Sequence, residues 1–444
     1  MAVNNKKTSH NNNNNNDTNT IKSDYKINTS HIDVLDGIRA MAILIVVWFH
    51  IWQQCWLIPN IPTPFLERFG INLIDLDWLP RTGYMMVTMM IFLSGFCLYL
   101  PYARNQTEGT TIPSIGTFYK KRVARIVPSY LFAICVVLIY NIFTCAYTAP
   151  GFFLKDDSSF MLKDILSHLT FTYNLIPDVA SHTLLNGVLW TVALEVQFYI
   201  IFPFIAYCFK KQPIPTYVTM NAISYIYISF AVKQPNVPFL LHQLPSYMGV
   251  YANGFLGVIL YMQIAKNYHK LAHKNIFAGI STVVSLGCIY VYSYLMKQLR
   301  GAENLNIWQL ENRFYVSILF LVFILATAYS VNWYKFIFSN KLAKFISLIS
   351  FNLYIWHQFL CTAFKNNRIP YYEGDTFPNE LGDKPWMWKL LILSFAASFA
   401  MAIATTFLLE KPASRLITKI GARTKDSASS DSAKKQIKNS VQKR

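Results

Sequence analysis

Charge is scarce in this sequence. Asp, Glu, Lys and Arg supply only 14% of its 444 residues, against 53% for the apolar types. Soluble domains run at about one quarter charged, so a water-soluble globule is a poor reading. Several signatures are also missing. There is no GxxxxGKS/T phosphate loop, no GxGxxG, no GxSxG and no HExxH, which removes the common nucleotide, serine-hydrolase and zinc-protease motifs. The seven cysteines, at 55, 97, 135, 145, 208, 288 and 361, show no CxxC spacing. They read as small buried apolar residues, not as a disulfide framework, and no ligand cluster suggests a metal. Residues 1–32 include NNNNNN and lack the charged-then-apolar plan of a signal peptide. They read as a disordered, cytoplasmic lead. No internal repeat suggests a transporter built from two related halves.

What the chain does have is long apolar runs. A membrane span needs roughly 20 mostly apolar residues. Ten runs qualify, at about 38–57, 83–102, 129–147, 188–209, 216–232, 243–264, 276–296, 314–332, 345–363 and 387–409. The fifth is the shortest and the most polar. The expected fold is all-α, a polytopic membrane bundle of about ten transmembrane helices. It occupies residues 33–416, followed by a basic, mobile cytoplasmic tail over 417–444. With the N-terminus inside and the spans alternating, the inside segments hold 28 of the 40 Lys and Arg. That excess places both termini in the cytoplasm. The net charge of +18 then reads as topology and attraction to anionic lipid headgroups. Nucleic acid is not an expected partner.

Four stretches could carry chemistry. In LDGIRAMAILIVVWFH, Arg39 and His50 are eleven residues apart. On a helix this puts them about 20° apart in azimuth and about 16 Å apart along the axis, on one face. An ionisable group at the bilayer centre costs about 2.5–3.5 kcal/mol on insertion scales. Alone, Arg39 also fits the positive-inside rule and His50 a satisfied packing residue. Asp36 reads as a helix N-cap, with Gly37 giving the turn. In FYKKRVARIVPSYLF, Arg122 and Arg125 are i and i+3, and arginine forks suit phosphate oxygens; membrane anchoring by positive charge is the other reading. In GVLWTVALEVQFYIIFP, Glu195 is a carboxylate within an apolar span, toward its outer half. Tyr199 shares its face, and Trp190 lies near the outer interface. Glu195 serves either chemistry or an ion pair with another span. In ISFNLYIWHQFL, His357 lies in the outer part of the ninth span, accompanied by Asn352 and Tyr354. Finally, in LLEKPASRL, Glu410 and Pro412 read as a helix terminator with an ion pair.

Together these motifs resemble the acyltransferase 3 family of integral-membrane O-acyltransferases. The resemblance rests on the R-x10-H of Arg39 and His50, the run from Ile91 through FLSGFCLYL, the R-x2-R of Arg122 and Arg125, LWTVALEVQFYIIFP, ISFNLYIWH and the closing LEKP, in that order from residue 33 to about 415. It implies transfer of an acyl group, often acetyl, from a cytoplasmic donor such as acetyl-CoA to a sugar hydroxyl on or beyond the outer face. On that reading Arg39, Arg122 and Arg125 bind the donor and His50 is the general base. Glu195 orients it or takes part in catalysis, while Tyr199, Trp190 and His357 support the acceptor. No cofactor is bound; acyl-CoA is a co-substrate, and carbohydrate and membrane lipids are the other partners. Two departures stand out. Many members carry a histidine shortly before the tryptophan of the fourth-span motif, where this chain has Asn186 and Gly187. Some members add an extracytoplasmic serine-hydrolase domain, for which no room is expected here. A multi-pass transporter or flippase of a glycan or lipid-linked precursor would use the same buried polar residues, but would leave its substrate unesterified.

Overall fold

The structure, a computed structural model, describes residue 29 and residues 31–70, 72–144 and 158–419. The Asn-rich lead, Cys145 and most of the basic tail lie outside the described residues. Within them, ten helices of 19 residues or more fall where the apolar runs are: α1 Asp33–Cys55, α2 Gly83–Glu108, α3 Ile115–Phe143, α4 Trp190–Lys211, α5 Pro213–Ala231, α6 Met248–Asn267, α7 Lys274–Arg300, α8 Leu305–Ala328, α9 Lys341–Asn366 and α10 Lys384–Ala404. Eight of the ten segments are long and apolar enough to cross a membrane; α5 and α9 are not. The shortfall of α9 has a cause in its packing. It carries Ser347, Ser350, Asn352 and His357 into the centre of the bundle, all buried. One antiparallel hairpin, β1 Asn60–Pro62 with β2 Leu73–Asp75, lies between α1 and α2.

Two ends of the bundle can be told apart. The Thr29 hydroxyl bonds Glu108 at the end of α2, and Lys120 at the start of α3 donates to the Thr418 carbonyl at 2.6 Å. Residues 29 and 418 therefore lie at one end, called here the terminal end. α1 and α9 form one of the most extensive helix contacts, and they run parallel and in step. Ser347 donates to Asp36 at 3.1 Å near the terminal end, while Lys365 donates to the Gln54 carbonyl at 2.9 Å at the other.

Several local expectations need correcting. Asp36 is not a cap. The helix starts at Asp33, and Asp36 accepts from Ser347 inside the first turns. Gly37 is there for close approach, since a Cβ would fall 2.0 Å from the Phe338 carbonyl oxygen. Glu410 and Pro412 do not end the last helix. The chain passes through a π turn, Thr405–Glu410, and stays helical to Lys419. A wider turn directly before Pro412 absorbs the missing N–H and the ring clash that would otherwise break the helix. Asn352 and Trp356 of α9 hold that turn, donating to Glu410 at 2.6 Å and to Thr405 at 3.0 Å. The third span begins well before residue 129, so Arg122 and Arg125 lie within α3. The six cysteines among the described residues are free, but Cys135 is exposed.

α2 also crosses α6 at close range. A Cβ on Gly254 would meet the Phe92 carbonyl oxygen at 2.6 Å and the Phe96 nitrogen at 2.9 Å. Both are backbone atoms that cannot swing aside. Gly254→Ala is expected to lower the thermal midpoint of the detergent-solubilised protein, by the about 1–3 kcal/mol typical of overpacking. Gly279→Ala is the control, because nothing lies within 4 Å of that position. Equal midpoints for the two variants would show that the crossing can open.

Candidate active site

α1 carries Arg39 about two turns in, against α2 and α9. Its guanidinium is 3.7 Å from Asp36 and donates to Ser347 at 3.4 Å and to the Cys97 sulfur at 3.6 Å. α3 brings Arg122 and Arg125 to the same place. Arg122 lies over the rings of Phe118, at 5.4 Å, and Tyr199, at 5.2 Å. Its Nε is buried with no hydrogen-bond partner among the described residues. Glu195 accepts from Ser94 at 2.8 Å and from the Tyr199 hydroxyl. Ser94 is mid-way along α2, so Glu195 is near the centre of the bundle and not in its outer half. The reason is that the segment leading into α4 is itself packed inside: Leu185, Val188 and Leu189 are buried. The first turn of α4 therefore starts below the rim.

Arg39, Arg122, Arg125 and Glu195 line one cavity of about 100 Å³, with Ser94, Cys97, Val87, Thr191 and Tyr354 among the other walls. From Cys97 to Val87 the cavity follows ten residues of α2, about 15 Å at 1.5 Å per residue. Tyr354, which lines it, lies one helix turn before His357; neither His50 nor His357 lines it. The His357 ring stands 5.1 Å from that of His50. His357 Nδ1 is 2.7 Å from the Tyr354 carbonyl oxygen, and its Nε2 is without a partner among the described residues. His50 Nδ1 is 3.1 Å from Gln53 Oε1. The arginines and Glu195 thus gather at one level, and the two histidines gather at another. The hydrogen bonds of Glu195 go to Ser94 and Tyr199, not to His50.

Trp190 is half-buried beside this site and does not line the cavity, whereas the next residue, Thr191, does. Its ring packs on His242 at 4.1 Å and on Tyr247 at 6.1 Å. Burial, and then the Arg313 cation, push His242 down to about 3, so Trp190 stacks on a neutral ring at neutral pH. Arg313 is itself buried, 3.8 Å from the Tyr247 ring, and donates to the Leu241 carbonyl at 3.2 Å. Just before α4, Asn186 donates to the Ile355 carbonyl at 2.8 Å and so ties the start of α4 to α9.

Sequence reasoning missed Ser94, Gln53 and Arg313. Ser94 is a lone hydroxyl in an apolar run, and Gln53 is three residues past His50 on the same face; both are weak but readable signals. Arg313 adjoins the apolar run of α8 and was readable as a buried cation. Among the described residues, no group of three or more His, Cys, Asp or Glu could hold a metal ion.

A model of the acyltransferase domain, Acyl_transf_3, matches residues 32–411. Among curated sequences, the chain is 25% identical over 367 residues to O-acetyltransferase OatA of Staphylococcus aureus strain NCTC 8325, covering 76% of this chain and 52% of that one. A provisionally named O-acetyltransferase of Staphylococcus aureus strain COL is 24% identical over 364 residues, 77% of this chain and 53% of that one. A provisionally named acetyltransferase, ORF330, of the Acidianus two-tailed virus is 25% identical over 325 residues, 72% of this chain and 80% of that one. The chain spans about half the length of the staphylococcal relatives it matches. No solved structure matches it.

Proposed function

The chain belongs to the acyltransferase 3 family and is a multi-pass membrane acyltransferase; on that footing we propose that it moves an acetyl group from acetyl-CoA at the arginine level to a glycan hydroxyl at the histidine level. One observation supports this above all others: a single cavity joins three arginines to a point one helix turn from paired histidines. A volume of about 100 Å³ is too small for a nucleotide. The donor's phosphates therefore stay at the arginine mouth, where guanidinium forks match phosphate oxygens. The terminal end is taken as cytoplasmic, because the Lys and Arg excess falls there.

At the histidine level the chemistry is a simple acyl transfer. The acceptor oxygen attacks the thioester carbonyl carbon, forming a C–O bond, while the C–S bond breaks and the thiolate leaves with the coenzyme. The hydroxyl proton goes to His50 Nε2. Imidazole suits this role near neutral pH, and general-base assistance contributes ~10²–10⁴-fold. Glu195, held by Ser94 and Tyr199, balances the arginine charge while the cavity is empty of donor.

The test uses the full chain in lipid vesicles with acetyl-labelled acetyl-CoA and an exported glycan on opposite sides. The expected product is an alkali-labile acetyl ester on the glycan. A glycan that crosses the membrane unmodified, or no ester at all, overturns the reading. In the same assay Arg122→Lys keeps the charge and loses the fork. It is expected to raise the KM for acetyl-CoA about tenfold or more, in line with a lost charge-assisted hydrogen bond, with kcat little changed. An unchanged KM would reduce Arg122 to a membrane anchor.

A further inference from the structure

We propose that His357 reads a second hydroxyl of the acceptor, so that the acceptor is a sugar with neighbouring hydroxyls and not an isolated alcohol. This rests on the acyl-transfer reading above and deepens it. The argument starts from hydrogen-bond bookkeeping. The partner of His357 Nδ1 is the Tyr354 carbonyl oxygen at 2.7 Å. A carbonyl can only accept, so Nδ1 carries the hydrogen and Nε2 is a bare acceptor. That Nε2 has no partner among the described residues, and the residue is fully buried. Buried polar atoms in native proteins are almost always partnered. An orphan acceptor with a fixed tautomer marks a place where something else donates.

His50 shares the tautomer but not the full burial. Its Nδ1 is 3.1 Å from Gln53 Oε1, and with that oxygen accepting, its Nε2 is also left as an acceptor, on a half-buried ring. Both Nδ1 atoms are turned back toward partners three residues away on their own helices. Both Nε2 atoms are therefore turned off those helices, and the rings lie 5.1 Å apart at a tilt of 46°. One donor cannot satisfy two acceptors. A lone hydroxyl bound at His50 would leave His357 Nε2 orphaned in the complex. Two hydroxyls on adjacent carbons would satisfy both, one surrendering its proton in the reaction and the other only hydrogen-bonding.

His→Asn and His→Gln separate this role from a structural one. An asparagine amide falls near the Nδ1 position and can keep the Tyr354 bond, but it has no atom at Nε2. A glutamine amide reaches the Nε2 position. The experiment measures acetyl transfer from labelled acetyl-CoA by the full chain in vesicles. Acceptors are the methyl glycosides of glucose, galactose, mannose and N-acetylglucosamine, and, for each one acylated, its singly deoxygenated analogues. In the wild type, removing the neighbouring hydroxyl is expected to lower kcat/KM about 10–100-fold, the cost of an orphaned buried acceptor. In His357→Asn that penalty should shrink to about twofold or less, while His357→Gln retains most of it. A purely structural histidine would give the reverse, with Asn the better replacement and the penalty unmoved in both. Wild-type protein that ignores the second hydroxyl, or a full penalty in His357→Asn, overturns this inference and leaves acyl transfer standing. A wild type that acylates none of these glycosides overturns this inference too, and the vesicle assay with the exported glycan then decides separately whether acyl transfer itself survives.

Discussion

Replacing His50 with alanine is expected to lower acyl transfer by at least ~10²-fold while the protein stays inserted and folded. On the proposed reading the effect on chemistry is large because His50 takes the acceptor's proton. The effect on folding should be small because α1 is pinned elsewhere. Asp36 and Arg39 hold Ser347 near one end of the helix pair, and Lys365 holds the Gln54 carbonyl at the other. Initial rates in vesicles, read beside thermal midpoints in detergent, separate the two quantities. Near-normal transfer with an intact midpoint would take His50 out of the reaction.

The second large effect is expected at Glu195. Glutamine keeps an oxygen to accept from Ser94 and Tyr199 but removes the only carboxylate, among the described residues, lining a cavity that holds three arginines. Close charges near a protein surface interact by several kcal/mol at an effective dielectric constant of about 20. Without the carboxylate, donor phosphates meet less opposition. Glu195→Gln should therefore leave the KM for acetyl-CoA unchanged or lower, and reduce kcat at least about tenfold because the released coenzyme lets go slowly. Rapid-quench and steady-state rates together would reveal this as a burst followed by slow turnover. A KM that rises several-fold would instead make Glu195 a direct ligand of the donor.

Much of this site could be read from single helices. The common face of Arg39 and His50 follows from eleven residues at 100° each, and the pairing of Glu195 with Tyr199 from a spacing of four. What joins two helices could not be read in that way. Nothing local in α4 says that Glu195 turns toward α2 and α3, and nothing in α9 says that His357 meets α1. The depth of Glu195 was misjudged because hydropathy assumes that a span starts at the rim, whereas the segment before Trp190 is folded inside the bundle. The π turn escaped because Pro412 normally stops a helix, and its rescue depends on Asn352 and Trp356 some fifty residues earlier in the chain. α9 falls short of a membrane helix for the same reason that it matters: its polar side chains are turned inward.

The parallel pairing of α1 with α9 makes the site a ruler. Each helix is stiff, and the pair is fastened at both ends, so the arginine level and the histidine level cannot slide past one another. The gap between them is set by eleven residues of α1, about 16 Å. A ligand anchored by phosphate at Arg39 reaches His50 with its reactive carbon only if the arm between is that long when extended. On the proposed reading, selection of the donor is then a matter of length before it is one of chemistry, and a shorter acyl phosphate with the same charge would bind at one end and fall short of the other.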